Sequence, residues 1–266
     1  MMNSIERLQA FKEYMDACDS KDEENGGEKQ LIGWGNPLAP ILIVGQEPSC
    51  EDYEKPVQSM IQDSNKGIQD CFNNGDLVNL FLQGFNSQPN STWSLYQRLI
   101  DYVLYGEPIM RSERQNLPFG TWSFITDMNN TFSKRTKDAE KKLEPRQILF
   151  EESRFIHDFP VVLLACGKKY VGIHDDKSDV ELIFGVNFDK DGGAHEEFGK
   201  KIAYYVHHSD DYKRLVIHTS QITAFPRNGG KGIIALKAIA KLIREHLINQ
   251  GKFPNFWIEE YWGPQL

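Results

Sequence analysis

Four short apolar runs are the strongest pattern in the hydrophobic and polar positions of this chain. They cover residues 41–44, 122–126, 161–165 and 215–217, and each ends at small or polar residues. None of them alternates between apolar and polar positions, so each predicts a strand that is buried on both faces. Such strands are typical of a parallel sheet with helices on both sides.

Helical spacing of apolar residues occurs between and after these runs. It predicts helices over residues 94–104, 145–157 and 233–247, and an accessory N-terminal helix over residues 4–18 that precedes an acidic loop within residues 1–30. Residues 179–188 and 201–207 are predicted to be additional strands or a hairpin insertion within residues 175–210. We therefore expect a single α/β domain over residues 1–266, with three α/β/α layers, a mainly parallel central sheet of about four strands, and small accessory strands.

Composition narrows the possible classes of function. The 266 residues are enough for a substantial core, and no apolar run approaches the roughly 20 residues that span a bilayer. The first residues lack the basic and apolar segments of a signal peptide, so we expect a cytoplasmic protein without a membrane partner. A net charge of −8 and a pI near 5.4 count against a dedicated nucleic-acid binder without excluding DNA.

The cysteines give no sign of a metal or cluster site. They are widely spaced and form no C-x-x-C pair, so we interpret them as reduced thiols and expect no cofactor and no metal. The four cysteines are Cys18, Cys50, Cys71 and Cys166.

Candidate chemistry is concentrated at the ends of the predicted strands. In open α/β sheets, ligands bind outside the carboxyl ends of the strands, near a switch in strand order. The segments that follow the four runs are Gly45-Gln46-Glu47-Pro48-Ser49, Asp127-Met128-Asn129-Asn130, Cys166-Gly167-Lys168-Lys169 and His218-Thr219-Ser220-Gln221.

The first and last of these segments together resemble two motifs of the uracil-DNA glycosylase superfamily. In that superfamily a motif of the type Gly-Gln-Asp-Pro follows the first strand, and a motif of the type His-Pro-Ser follows the last. The resemblance extends over about residues 31–247 in the order and spacing of elements. It implies a divergent, monofunctional DNA glycosylase that flips a base out of DNA and hydrolyses the N-glycosidic bond of uracil or of another damaged base.

The resemblance also implies roles for the motif residues. Gln46 faces the base through its backbone, Glu47 positions the attacking water, and Pro48 sets the turn. Ser49 stands where the most stringent uracil enzymes have a tyrosine that excludes thymine, so damaged or larger bases are expected to fit. His218 donates a hydrogen bond to the base as negative charge develops on it.

Other residues complete the implied base pocket. Gly45 belongs to the tight turn that binds the base, and Phe81 or Phe85 stacks on the flipped base. Asp127 or Asn129 takes the place of the asparagine that reads the pyrimidine edge, with Asp127 the better aligned. An ionised aspartate cannot donate to a carbonyl oxygen, but it can accept from an exocyclic amine. Thr219 replaces the usual proline of the second motif, and the cysteine ligands of the iron–sulfur branches are missing.

The implied DNA contacts follow the last strand and open the last helix. Ile222 or Phe225 would be the apolar wedge that holds the duplex open. Phosphate contacts would come from basic side chains and helix N-terminal amides, with a second basic patch at residues 134–137. The residues assigned to DNA binding are Ser220, Gln221, Ile222, Arg227 and Lys231.

Other interpretations remain open at this point. The Gly-Gln-Glu-Pro segment taken alone is typical of any strand-to-loop turn. His207 and His208, followed by two aspartates, suggest a metal site, but adjacent residues of a strand point to opposite faces. The alternative functions are a catalytically silent member that binds nucleic acid or a protein partner, and a hydrolase of free nucleosides. We expect a monomer in each case.

Overall fold

The fold was analysed in a computed structural model. The structure describes residues 2–20, 27–46, 56–76, 91–108, 119–131, 143–168, 170–174, 177–190, 194–195, 204–222 and 230–253. Within these residues it contains seven α-helices and ten strands.

Four parallel strands form the centre of the sheet. They are β2 (Ile41–Gly45), β3 (Ser123–Asp127), β4 (Val161–Leu164) and β10 (Leu215–Thr219), in the order β3-β2-β4-β10. Strand β2 pairs in parallel with both β3 and β4, and β10 pairs in parallel with β4. Every residue of β2, β4 and β10 is buried, as the absence of alternation predicts. The predicted α/β class and the parallel strands are confirmed.

Antiparallel strands extend this centre on both sides. Strand β1 (Trp34–Gly35) pairs with β3, and β9 (Tyr204–His208) pairs with β10. Strands β7 (Asn187–Phe188) and β8 (Ala194–His195) both pair with β9. The described part of the sheet is therefore mixed and eight-stranded, which corrects the expected sheet of about four strands. Strands β5 (Ile173–His174) and β6 (Lys177–Ser178) form a separate two-stranded ladder.

The prediction of a strand over residues 179–188 was wrong for most of that segment. Asp179–Phe184 is helical, and only Asn187–Phe188 pairs as a strand. The helix begins with a capping box, in which the Ser178 and Glu181 side chains accept from each other's backbone N–H, and it ends at Gly185 with φ 60°. The local caps therefore override the β-branched and aromatic content of the segment.

Helices cover both faces of the sheet. The described helices are α1 (Ser4–Asp19), α2 (Val57–Asn73), α3 (Ser91–Tyr105), α4 (Glu144–Glu152), α5 (Arg154–His157), α6 (Asp179–Phe184) and α7 (Gly230–Asn249). Apolar side chains of α1, α2, α4, α5 and α6 pack in one core with Leu42, Val44 and Val162. Those of α3 and α7 pack in a second core with Ile43, Leu163 and Ile217. The predicted helix over residues 145–157 is interrupted at Ser153, which caps α5.

Helix α1 is part of the core rather than an accessory element. It buries Phe11 and Tyr14 completely or nearly so, and its Arg7 side chain is also buried. Arg7 forms an ion pair with Asp158 at 3.0 Å and donates hydrogen bonds to the carbonyls of Pro37 and Ala39, each at 2.8 Å. Burial lowers the pKa of Arg7 to about 10, against the opposing effect of Asp158. The guanidinium thus ties α1 to the segment that enters β2.

No helix in the described ranges combines the length and apolar character needed to cross a membrane. Cys18, Cys71 and Cys166 are free thiols, and Cys50 lies outside the described residues.

The Arg7 contacts generate a stability prediction. Arg7→Met leaves the Asp158 carboxylate buried without its ion-pair partner, so the free energy of unfolding should fall by about 3–5 kcal/mol. Lys12→Met is the matched control, because Lys12 and Asp16 form an exposed pair on the same helix, and it should change stability by less than about 1 kcal/mol. Urea unfolding of both variants measures the difference, and equal losses would contradict the role of Arg7.

Candidate functional site

The order of the parallel strands creates a switch point at one edge of the sheet. From β2 the chain passes to β3 on one side, and then returns to β4 on the other side of β2. A crevice outside the carboxyl ends of β2 and β4 is the position where such sheets bind ligands.

Hydrogen bonds join the four strand ends into one continuous edge. The backbone N–H of Asn129 donates to the Gln46 carbonyl at 2.8 Å, and the Gln46 side-chain Nε2 donates to the Cys166 carbonyl at 2.9 Å. The N–H of Gly167 donates to the Thr219 carbonyl, also at 2.9 Å. The two motif segments identified in the sequence therefore meet at the same edge, with Gly167 between them.

Gly45 allows the Asp127 carboxylate to lie close to the backbone at the end of β2. A Cβ atom at this position would overlap with Oδ1 of Asp127 and would lie 3.7 Å from the hydroxyl of Tyr96. Burial raises the pKa of Tyr96, and the Asp127 carboxylate and the Cys166 thiol raise it further. Only glycine leaves space for the Asp127 carboxylate beside this hydroxyl.

The two candidates for reading the base edge differ in exposure. Asn129 is completely buried, whereas Asp127 is partly exposed at the end of β3. The end of β3 is held by Arg146, which is buried, donates to the Asp127 carbonyl at 3.0 Å and also donates to the Thr126 hydroxyl. Asp127, unlike Asn129, is therefore partly open to solvent at this edge.

His218 is a buried and neutral histidine at the end of β10. The residue is 7% exposed, and its Nε2 atom is buried without a hydrogen-bond partner in the described part of the chain. Burial lowers the pKa of His218 to about 4, nearby His207 and Lys168 act in the same direction, and a backbone hydrogen bond with Gly167 opposes them. At neutral pH the uncharged ring can donate a hydrogen bond to a bound ligand or accept one from it.

A cavity of about 520 Å³ lies beside His218, on the sheet face that α6 covers. This volume is within the range of small-molecule pockets. Tyr205, Phe188 and His207 form an aromatic wall: the Phe188 ring centroid is 6.3 Å from that of Tyr205 and 5.4 Å from that of His207. The remaining lining residues are Lys168, Val171, Gly172, Ser178, Val180, Glu181, Lys190 and His218.

The only carboxylate that lines this cavity, within the described ranges, is already occupied. Both Glu181 oxygens accept hydrogen bonds, one from the N–H of Ser178 at 2.9 Å and the other from the N–H of Phe188 at 3.2 Å. Burial opposes ionisation, but these hydrogen bonds lower the pKa of Glu181 overall. Glu181 thus serves the capping box and β7, and the two lysines leave the lining with a positive balance.

The structure separates the predicted site residues into three groups. Gly45, Gln46, Asp127 and His218 reach the described edge, and Ser220 and Gln221 follow β10 with partly exposed side chains. Ile222 is 1% exposed in the core beside α3 and α7, so it is not available as a wedge in this structure. Glu47, Pro48, Ser49, Phe81, Phe85, Phe225, Arg227 and the patch at residues 134–137 lie outside the described residues, as does the side chain of Lys231.

His207 and His208 point to opposite faces, as predicted for neighbours on a strand. His207 packs against Phe188 in the cavity, whereas His208 lies 5.1 Å from the Tyr212 ring and 6.3 Å from the His246 ring. No group of histidine, cysteine, aspartate and glutamate side chains suited to a metal ion occurs in the described ranges.

The sequence analysis named Lys168 only as part of a strand-end segment and gave no role to Tyr205 or Phe188 of the aromatic wall. Tyr205 belongs to β9, which pairs with β10, and Phe188 belongs to β7, which pairs with β9; both positions depend on sheet order and not on local pattern. A signal was nevertheless present, because Tyr205 and His207 alternate along β9 and therefore share one face. In comparisons with known proteins, no family model matches this chain and no curated protein matches it significantly.

The close approach at Gly45 generates a prediction for a double-mutant cycle. Gly45→Ala should lower the free energy of unfolding by about 1–3 kcal/mol, because the added Cβ displaces the Asp127 carboxylate. The same substitution in an Asp127→Ala background should cost much less, since the next atom is at an ordinary contact distance. Urea unfolding of the four proteins gives the coupling energy, and strictly additive costs would contradict the contact.

The burial of His218 generates a prediction for pH. Its pKa is lower in the folded protein, at about 4, than the ordinary 6.5, so the unfolded state binds the proton first. The stabilisation is complete above pH 6.5 and is lost as pH falls towards 4, by about 3 kcal/mol in total. Between pH 6.5 and pH 4, the free energy of unfolding should fall less in His218→Gln than in the wild type. NMR titration of the wild-type ring measures the pKa independently. A ring that titrates near 6.5 would contradict the assignment.

Proposed function

We propose that this protein is a DNA glycosylase-like hydrolase, a divergent relative of the uracil-DNA glycosylases, which cleaves the N-glycosidic bond of uracil or another damaged base in DNA. The observation that supports the proposal best is the meeting of the two motif segments at one sheet edge. Gln46 bonds to Cys166, and the next residue, Gly167, bonds to Thr219 of the histidine segment. Residues about 170 positions apart thereby border the same crevice.

The proposed reaction is the attack of water on the anomeric carbon of a flipped nucleotide. The bond from this carbon to the base nitrogen breaks through an oxocarbenium-like transition state, and the base leaves with the electron pair. Glu47 accepts a proton from the attacking water, and that proton finally neutralises the departing base. His218 donates a hydrogen bond to the base while negative charge develops on it, which requires no change in the charge of the ring.

Recognition of the base is proposed to involve Asp127. Asp127 is partly exposed, the glycine at position 45 leaves room for its carboxylate, and Arg146 donates to its backbone carbonyl. A carboxylate accepts hydrogen bonds but does not donate them. This residue therefore favours a base that presents an N–H group at this edge, including an exocyclic amine.

A second candidate function is hydrolysis of free nucleosides. The net charge of −8 is unfavourable for binding a polyanion, whereas the cavity of about 520 Å³ has the size of a small-molecule pocket. The two functions differ in salt dependence, because DNA binding releases counterions and nucleoside binding does not. A third candidate is a catalytically silent binding protein, which would form no hydrolysis product from either substrate.

The catalytic assignment predicts the effect of removing the proposed base. Glu47→Gln should lower the excision rate at least about a hundredfold, because it removes the proton acceptor while preserving size. Glu152→Gln, on the exposed end of α4, is the matched control and should leave the rate unchanged. Strand cleavage with alkali, on single-stranded and duplex oligonucleotides containing uracil, hypoxanthine, xanthine or 5-hydroxymethyluracil, measures the rate. Full activity in the Glu47 variant would overturn the site, and no excision by folded wild type would favour a binding protein.

A further inference from the structure

The cavity beside His218 is displaced from the edge at which base excision is proposed. It lies over β10, β9 and β7, whereas Gly45 and Asp127 belong to β2 and β3. Strands β2 and β9 are three steps apart in the sheet, which at a strand spacing of about 4.8 Å corresponds to roughly 14 Å. Most of the cavity is therefore displaced from Gly45 and Asp127, whereas Lys168 and His218 of its lining belong to the strand-end edge.

The wall of the cavity suits a flat ring. Phe188 and Tyr205 present aromatic surface, and Val171 and Val180 add apolar contacts. Flat aromatic ligands pack against such surfaces in offset or edge-to-face arrangements. Nothing in this part of the wall would select for a particular aliphatic shape.

Two buried nitrogen atoms in the same lining favour a ligand with a polar edge. Nε2 of His218 and Nδ1 of His207 are both buried without a hydrogen-bond partner in the described residues. Leaving such atoms unsatisfied is costly, so a ligand that hydrogen-bonds to them is favoured over a hydrocarbon. A heteroaromatic ring provides both the flat face and the polar edge.

Two exposed lysines add a positive rim. Lys168 follows β4 and holds its ammonium 4.9 Å from the Tyr205 ring centroid, and Lys190 lies just beyond β7. Neither lysine forms an ion pair within 4 Å in the described residues. Glu181 accepts hydrogen bonds from the backbone of Ser178 and Phe188. The rim therefore suits an anionic group attached to the ring.

We propose that this cavity binds a nucleoside monophosphate, with the base against Phe188 and Tyr205, the base edge at His218 and His207, and the phosphate at Lys168 and Lys190. The proposed ligand is a free small molecule. The site shares His218 with the proposed excision site, but its contacts at Phe188, Tyr205, Lys168 and Lys190 do not depend on base excision.

Isothermal titration calorimetry of the full chain with uridine and adenosine monophosphates tests the proposal. Each monophosphate should bind at least about tenfold more tightly than its nucleoside, because the charge-assisted contacts to lysine are absent from the nucleoside. Inorganic phosphate alone should bind more weakly than either nucleotide, since it makes no contact with the aromatic wall. Equal binding of nucleoside and monophosphate, or no saturable binding of any nucleotide by the folded protein, would overturn the proposal.

Variants of Lys168 locate the site. Lys168→Ala should weaken monophosphate binding about tenfold, and Lys168→Arg should retain most of it. Lys177→Ala is the control, because Lys177 is an exposed lysine in β6 that does not line the cavity. Unchanged affinity in Lys168→Ala, or an equal loss in Lys177→Ala, would refute the location. Glu47→Gln should retain nucleotide binding, so the failure of either proposal can be distinguished from that of the other.

Discussion

Burial of the parallel strands on both faces is the constraint on which the rest of this structure depends. Strands β2, β4 and β10 have no exposed face, so their polar backbone groups must pair within the sheet, and helices must cover both sides. All parallel strands then end at one edge, where pairing stops and loops begin. Polar residues that follow the strands are thereby brought together, whatever their distance along the chain. The meeting of Gln46, Cys166, Gly167 and Thr219 is a direct consequence of this parallel pairing.

The same constraint determines the state of His218. Alternation along β10 directs Ile217 into the core beside α3 and α7, and His218 to the opposite face, next to Tyr205. There the ring loses contact with water and remains uncharged at neutral pH, because burial lowers its pKa to about 4. A neutral histidine with an unsatisfied nitrogen costs stability in the absence of a ligand. Such a cost is typical of binding and catalytic sites, where a bound group supplies the missing partner.

The parts of the fold that could be predicted from sequence are those with long or uninterrupted patterns. Strands β2 and β4 are uninterrupted apolar runs, and α7 has a long repeat of apolar residues at helical spacing. These patterns predict the elements without reference to the rest of the sheet. Helix α6 was missed because its six residues include Val180, Ile183 and Phe184, and only the Ser178–Glu181 capping box indicated a helix. Within the site, Gly45 and His218 could be identified because they directly follow or end a buried run. The aromatic wall could not, since β7 and β9 reach β10 only through the order of the sheet.

The net negative charge of the protein and the positive lining of its cavity act on ligands of different size. At physiological ionic strength, screening limits the reach of surface charges to about 8 Å. The net charge of −8 therefore repels mainly an extended polyanion that crosses much of the surface. A ligand that fits within one compartment responds mainly to the charges lining it. At the cavity beside His218 these are Lys168 and Lys190, and the one acidic side chain among the described lining residues, Glu181, is saturated by hydrogen bonds. The charges that line this cavity therefore suit the single nucleotide proposed as its ligand better than an extended polyanion.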